Sequence, residues 1–332
     1  MRAIEMTATG GPEVLRLNSQ ADEPQIVSPT QIKVRLRAAG VNPIDTKICA
    51  RGLFYGAQPP AILGCDGAGE VVAVGDQVTR FHVGDAVWFC HGGLGREPGN
   101  YAEHTVLQQA EAEHKPATLD FTHAAAAPLV LITAWEALFD QADLAAGENL
   151  LVHAGAGGVG HVAIQLAKAH GARVITTAGS PGNADFVRSL GADEVIDYHA
   201  QDLAQAVHEL TGGKGVEVCL DTIGAGVFRD SIGAMAPYGR LVTLLDPGTD
   251  LDLSQARSKN LKIAFTLMLT PMLADLAAAR AHHGEILAEC ARLVDGGQLH
   301  IHVSREYPLE QAAEAHAAIA GGHTRGKLVL LP

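Results

Sequence analysis

No run of lysine or arginine occurs in the 332 residues, and the formal charge of 24 minus 37, or −13, argues against a nucleic-acid backbone or an anionic membrane as main partner. A phosphorylated small molecule can still be held locally. No apolar stretch approaches the length of a membrane span, and the opening MRAIEMTATGGPEVLRL lacks the basic and apolar regions of a signal peptide. A cytoplasmic protein is therefore expected. The five cysteines (Cys49, Cys65, Cys90, Cys219 and Cys290) are odd in number and contain no C-x-x-C pair, which suggests neither a disulfide framework nor a zinc knuckle. A G-x-S-x-G elbow is missing, so a hydrolase reading finds no nucleophile. Internal repeats and low-complexity segments are missing as well.

What is present is ample apolar material: 47% hydrophobic against 18% charged residues marks a globular chain, long enough for two domains. Up to about Ala125 the sequence reads as short strands broken by glycine, as in QIKVRLRAAGV, and predicts an irregular antiparallel β domain. From Ala126 the texture changes to alanine-rich helices alternating with short Val/Ile/Leu runs, the pattern of parallel strands covered on both faces. The runs are Leu150–His153, Val174–Thr177, Glu194–Asp197, Val216–Leu220, Leu241–Leu245 and Leu261–Leu267. Six such strands suit a doubly wound dinucleotide-binding sheet in an α/β protein. Helical stretches near Glu285–Val294 and Leu309–Ile319 and a final strand, GKLVLL, are expected to return to the first domain. The expected division is residues 1–125 with 271–332, and 126–270.

The stretch HAGAGGVGHVAIQLAKAHGA places Gly155, Gly157 and Gly160 as G-x-G-x-x-G between a strand and a helix. The glycines permit a tight turn, backbone approach to a diphosphate and close helix packing; the helix start then offers its N–H groups and the positive end of its dipole. A dinucleotide site is predicted there. The end of the second strand, VITTAGS, offers Thr176, Thr177 and Ser180 but no carboxylate to grip an NAD ribose, which favours NADPH. Asn183, Arg188 and Tyr198 are the nearest groups for the 2′-phosphate or adenine.

AAGVNPIDTKI (Ala38–Ile48), LGCDGAGEVVAVG (Leu63–Gly75), Gly84-Asp85, ITAWEAL (Ile132–Leu138), the glycine stretch, LGADEVIDY (Leu190–Tyr198), DTIG (Asp221–Gly224) and GKLVLL follow one another along nearly the full length. In this order they resemble the medium-chain dehydrogenase/reductase superfamily, specifically its zinc-independent quinone oxidoreductase (zeta-crystallin-like) branch. The resemblance implies a GroES-like β domain carrying the catalytic cleft, a Rossmann domain, a cofactor between them, and a homodimer through the last Rossmann strand. It implies that Asn42 and Thr133 lie near the nicotinamide, that Gly155, Ala156, Gly157, Gly158, Val159 and Gly160 hold the diphosphate, and that Ser180 and Tyr198 meet the adenosine end. Phe265, Leu267 and Lys327 match cofactor-lining positions of related enoyl reductases. The branch's frequent lysine for the 2′-phosphate stands here as Asn183.

Zinc-dependent relatives carry a cysteine and a Gly-His-Glu where this chain has Asn42 and Gly64-Cys65-Asp66, and their four-cysteine lobe is missing. A site from Cys65, Asp66 and His91 is conceivable, but none of these shows helix or knuckle spacing, and no metal is expected. Among the sixteen histidines, neither His282-His283 nor Cys90-His91 has a partner at metal or triad spacing. Without a metal, hydride from a nicotinamide needs an acceptor that is already electrophilic, a quinone or an α,β-unsaturated carbonyl compound. A hydrogen-bond donor to the acceptor oxygen is still needed. Tyr55, or Phe54 in an equally good register, falls at the donor tyrosine of related enoyl reductases, and Lys47 is a second candidate. Two other readings remain open: a catalytically weak NADPH-binding regulatory protein, and a zinc-dependent alcohol dehydrogenase.

Overall fold

In the computed structural model, which describes residues 1–322 and 324–332, the chain divides into Met1–Leu129 with Leu269–Gly297 and Ile301–Pro332, and Val130–Met268 with Gln298–His300. The first unit holds strands β1 (Ala3–Met6), β2 (Leu15–Asn18), β3 (Gln31–Val41), β4 (Ala61–Ile62), β5 (Asp66–Val74), β6 (Ala86–Cys90), β7 (His104–Gln108) and β8 (Ala112–His114). The second holds β9 (Asn149–Val152), β10 (Arg173–Ala178), β11 (Glu194–Asp197), β12 (Val216–Asp221), β13 (Met235–Thr243) and β14 (Lys262–Phe265), after which β15 (Val303–Pro308) and β16 (Lys327–Leu331) belong again to the first.

In the first unit the strands pair in the order β15-β16-β3-β5-β6-β8, with β7 also on β3, and β2-β1-β4 form a smaller sheet. Ile32, Val34 and Leu36 of β3 point into a core with Val71, Val87 and Phe89, while Arg35 and Arg37 reach Glu70 on the other face. That alternation is what a strand with one solvated face requires. From Ala38 to Val41 every residue is buried, because the helix Phe121–Ala126 lies on the strand: a Cβ at Gly40 would stand 2.4 Å from the Ala125 carbonyl oxygen. Ala124 to Ala127, the small residues that permit this approach, are fully buried.

In the second unit all neighbouring strands run parallel in the order β11-β10-β9-β12-β13-β14. The chain winds outward from β9 to β11 and then returns to build β12 to β14 on its other side, so the order reverses between β9 and β12. Such a reversal opens a crevice at the carboxyl ends of the strands. Leu150, Leu151, Val174, Val218, Leu220 and Leu241 are buried, as expected of strands with both faces covered. Strand β13 begins well before the expected Leu241, because Pro237 to Gly239 are carried in a register shift against β12. Among the described residues no helix is long and apolar enough to cross a membrane.

Candidate active site

The glycine turn follows β9 directly and ends in the helix Gly158–Ala169. At Gly155 a Cβ would lie 2.2 Å from Oγ1 of Thr176 on β10, and at Gly160 a Cβ would lie 2.4 Å from the Ala154 carbonyl oxygen. The turn is thus folded down onto its own strand and helix with no space for side chains. Thr177 steadies it, since its Oγ1 accepts the N–H of Ala154 at 3.0 Å. The helix has Gly157 as N-cap and no capping side chain, so N–H groups of its first turn are available to a diphosphate. A Cβ at Gly155 or Gly160 would break this packing, and a turn so stripped of side chains beside an uncapped helix start suits a dinucleotide cradle.

Other expected cofactor residues of this unit stand at the same carboxyl edge. Ser180 follows β10 and caps the helix Pro181–Ser189 through the N–H of Asn183. Tyr198 follows β11, is 55% exposed, and has its hydroxyl against the backbone of Gly179, where a Cβ would come within 2.3 Å of it. Phe265 ends β14 and Leu267 lies just past it, 60% and 53% exposed, three strands from β9. Thr133 is buried on the helix Pro128–Trp135.

Within the first unit Asn42 is fully buried at the start of the helix Pro43–Arg51. Its side-chain amide is held at both ends: Nδ2 donates to Oδ2 of Asp66 at 2.8 Å, and Oδ1 accepts from Nζ of Lys327. Lys327 also donates to the Val41 carbonyl at 3.0 Å and lies 3.6 Å from Asp66, whose other oxygen accepts the N–H of Leu129. Burial pushes the Asp66 carboxyl up and the Lys327 ammonium down, while their mutual attraction opposes both shifts. With this many donors on the carboxylate and acceptors around the ammonium, the charged pair is the state the geometry satisfies.

A second buried chain meets the same residue from behind. Asp45 Oδ2 accepts the backbone N–H of Asn42 at 2.9 Å and the hydroxyl of Tyr101 at 2.8 Å. Nε2 of His316 lies 3.2 Å from the same hydroxyl. Burial holds His316 neutral, down to about 4, so its Nε2–H is the donor to Tyr101, a tautomer assigned from the bonding pattern. Burial, foremost, also pushes Asp45 up to about 7. Asp45, Tyr101 and His316 were not among the residues expected from sequence; the Asn42-x-x-Asp45 spacing, which closes a capping box in the fold, is a local signal that could have found Asp45.

Tyr55 is placed differently from a free donor. Its hydroxyl donates to the Met272 carbonyl at 2.7 Å, its ring lies 4.1 Å under the Arg96 guanidinium, and its backbone has φ of 61°. Lys47 lines a cleft of about 270 Å³ with Gly10, Gly11, Pro12, Arg51 and His316. Of the conceivable zinc ligands, Cys65 is buried, Asp66 is engaged as described, and His91 turns Nδ1 to Glu111 at 2.8 Å. Among the described residues no three His, Cys, Asp or Glu side chains are grouped as a metal site.

Residues 28–117 match the family model described as alcohol dehydrogenase GroES-like domain, and residues 190–330 that of zinc-binding dehydrogenase. A quinone oxidoreductase of Pseudomonas aeruginosa is 38% identical, covering 100% of this chain and 99% of its own. A 2-haloacrylate reductase of a Burkholderia species is 34% identical over 97% of this chain and 96% of its own. Among solved structures, an NAD-dependent alcohol dehydrogenase superposes with TM-score 0.90 at 35% identity, and the Escherichia coli quinone oxidoreductase complexed with NADPH with 0.87 at 31%, each covering 100% of both chains. The two halves of the fold, the glycine cradle and the full-length likeness agree, and the chain belongs to the medium-chain dehydrogenase/reductase superfamily, in its quinone oxidoreductase branch.

Proposed function

We propose that this protein is an NADPH-dependent reductase that passes hydride to quinones or α,β-unsaturated carbonyl compounds without a catalytic metal. The observation that carries the metal-free part is Lys327: a buried ammonium already neutralises Asp66 and binds Asn42, beside the positions where zinc-dependent relatives keep ligands. A dication there would meet that ammonium at close range in a medium of low dielectric. The glycine cradle, and the relatives named quinone oxidoreductase and 2-haloacrylate reductase, support the cofactor and the acceptor class.

When bound, NADPH supplies the hydride. The backbone of Gly155, Ala156, Gly157, Gly158, Val159 and Gly160 holds its diphosphate, Ser180 and Tyr198 its adenosine end, and Thr133 and Asn42 its nicotinamide, with Phe265 and Leu267 as apolar lining. Lys327 acts one step back, fixing which end of the Asn42 amide presents a donor. Because no Lewis acid polarises a carbonyl, only acceptors with a low-lying electrophilic carbon or oxygen are reduced, and simple ketones are not. Tyr55 serves as a wall of the acceptor loop, since its one hydroxyl proton is given to Met272. Tyr55→Phe is accordingly expected to change kcat by less than about threefold, well short of the loss that removal of a general acid brings.

The reading includes a homodimer along β14, whose outer edge has no partner strand among the described residues, and the cytoplasm as location, which suits five free thiols. Light scattering on the purified protein checks the first. The function itself is tested by following NADPH oxidation with 1,4-benzoquinone, 9,10-phenanthrenequinone, a simple enone and cyclohexanone. Turnover with members of the first three and none with cyclohexanone is expected. Tight NADPH binding with no turnover on any of them would favour a cofactor-binding regulator.

A further inference from the structure

We propose that the cleft beside the helix Pro43–Arg51 is a binding site for a small hydroxycarboxylate, its carboxylate held by Lys47 and Arg51 and its hydroxyl by His316. The cleft lies wholly within the first unit and shares no residue with the glycine cradle: the turn at Gly10, Gly11 and Pro12 and the helix Ala312–Ala320 form its other walls, around about 270 Å³. Lys47 and Arg51 stand four residues apart on one helix, a spacing at which two cations repel each other. No carboxylate of the described residues pairs with either of them. Burial, foremost, and the Arg51 guanidinium both hold the Lys47 ammonium below its ordinary value, with no acid nearby to raise it. An anion between the two charges turns that repulsion into attraction, and a guanidinium can grip a carboxylate with two parallel N–H groups.

Other polar groups of the cleft are engaged within the protein. The Thr46 hydroxyl donates to the Pro43 carbonyl at 2.9 Å, the Cys49 thiol to the Gly11 carbonyl at 3.6 Å, and the Gly10 N–H to the Cys49 carbonyl at 2.9 Å. Glu13, the acid of the adjoining turn, accepts the Gly11 N–H at 3.0 Å. His316 is different. It lines the cleft although it is only 1% exposed, and while Nε2 serves Tyr101, Nδ1 has no hydrogen-bond partner. Buried polar atoms are nearly always hydrogen-bonded, and in the tautomer assigned above this nitrogen is an acceptor. It therefore calls for a donor, which a carboxylate alone does not offer and a hydroxyl does. Two cations without an acid, an orphan acceptor, and walls of glycine, proline and alanine thus define the ligand: one negative charge, one hydroxyl and a short apolar body.

The test is calorimetric titration of the full-length protein, at neutral pH and fixed ionic strength, with lactate, 3-hydroxybenzoate and 4-hydroxybenzoate, and with benzoate and 4-hydroxybenzamide as the partners lacking hydroxyl or charge. Saturable binding of at least one hydroxycarboxylate is expected, with benzoate about threefold weaker or worse and the amide weaker still. Lys47→Met and Arg51→Met are each expected to weaken it about threefold to tenfold. Ala320→Trp, at an exposed wall position, fills the cleft without touching a charge and is expected to abolish it. The ligand is also expected to shift the His316 ring proton resonances, assigned by comparison with His316→Gln. Absence of saturable binding by all three hydroxycarboxylates overturns the site. Binding that survives Ala320→Trp, or that ignores both cation variants, overturns it too, because the ligand then sits elsewhere. Equal affinity for benzoate and its hydroxylated forms, with no shift at His316, overturns the hydroxyl contact and with it the ligand class.

Discussion

Replacing Lys327 by Met removes the ammonium but leaves Asp66 buried between Asn42 and the Leu129 N–H. Breaking a buried pair from one side costs about 3–5 kcal/mol, so Lys327→Met is expected to lower the midpoint of denaturant unfolding substantially with unchanged slope. Asp45 gives a prediction whose sign depends on pH. Its carboxyl is pushed up to about 7, so the folded state binds its proton more tightly than the unfolded chain does. Its stabilising contribution is full below the unfolded value of about 4 and is lost as pH rises through about 7. Asp45→Asn is therefore expected to melt above the wild type at pH 8, by a few degrees, with the gain fading toward pH 5; a gain constant across that range contradicts the buried-acid assignment. From sequence, Asn42 and Lys327 were legible as cofactor-region residues only through family resemblance. That they bind each other across 285 residues, or that His316 meets Tyr101 across 215, has no local signal. Charges buried by tertiary pairing leave no periodicity to read.

The strand, glycine turn and helix from Asn149 to Ala169 were legible because each part has its own local cause: an apolar run, residues without Cβ at a close approach, and helical spacing of Val162, Ala163, Leu166 and Ala167. Gly160→Val tests that element. Its side chain must collide with the Ala154 carbonyl, 2.4 Å from the Cβ position, so the helix start has to move away from the turn. A loss of about 1–3 kcal/mol in stability is expected, together with at least a tenfold loss in NADPH affinity measured by fluorescence titration. Unchanged affinity would mean that the turn is packed for the fold alone. The start of β13 was illegible for the opposite reason. Met235 pairs with Val216 and Arg240 with Val218, and between them Pro237, Tyr238 at φ of 63° and Gly239 bulge out, so the punctuation normally read as a loop lies inside a strand. The π-helical segment Glu136–Gln141, continuing the helix Pro128–Trp135, was likewise hidden, because its composition is ordinary helix composition.

At the scale of the whole molecule, the parallel six-stranded sheet and the β-rich first unit followed from texture alone: buried Val/Ile/Leu runs against alternating ones. Chemistry did not follow from texture, because it depends on which polar groups are left free once the fold has used the others. Asp66 is the clearest case. In sequence it reads as one of three conceivable metal ligands, whereas in the fold its oxygens are occupied by Asn42, Leu129 and Lys327. On the function proposed above, hydride transfer here proceeds without a metal. It is tested most directly by mixing NADPH-loaded protein, stripped with chelator and assayed for residual zinc, with 1,4-benzoquinone and following the decay of the nicotinamide absorbance within a single turnover. The account predicts that the stripped protein reacts at the rate of the untreated one and that added zinc does not accelerate it. A stripped protein that binds NADPH but transfers no hydride until zinc is restored would contradict it.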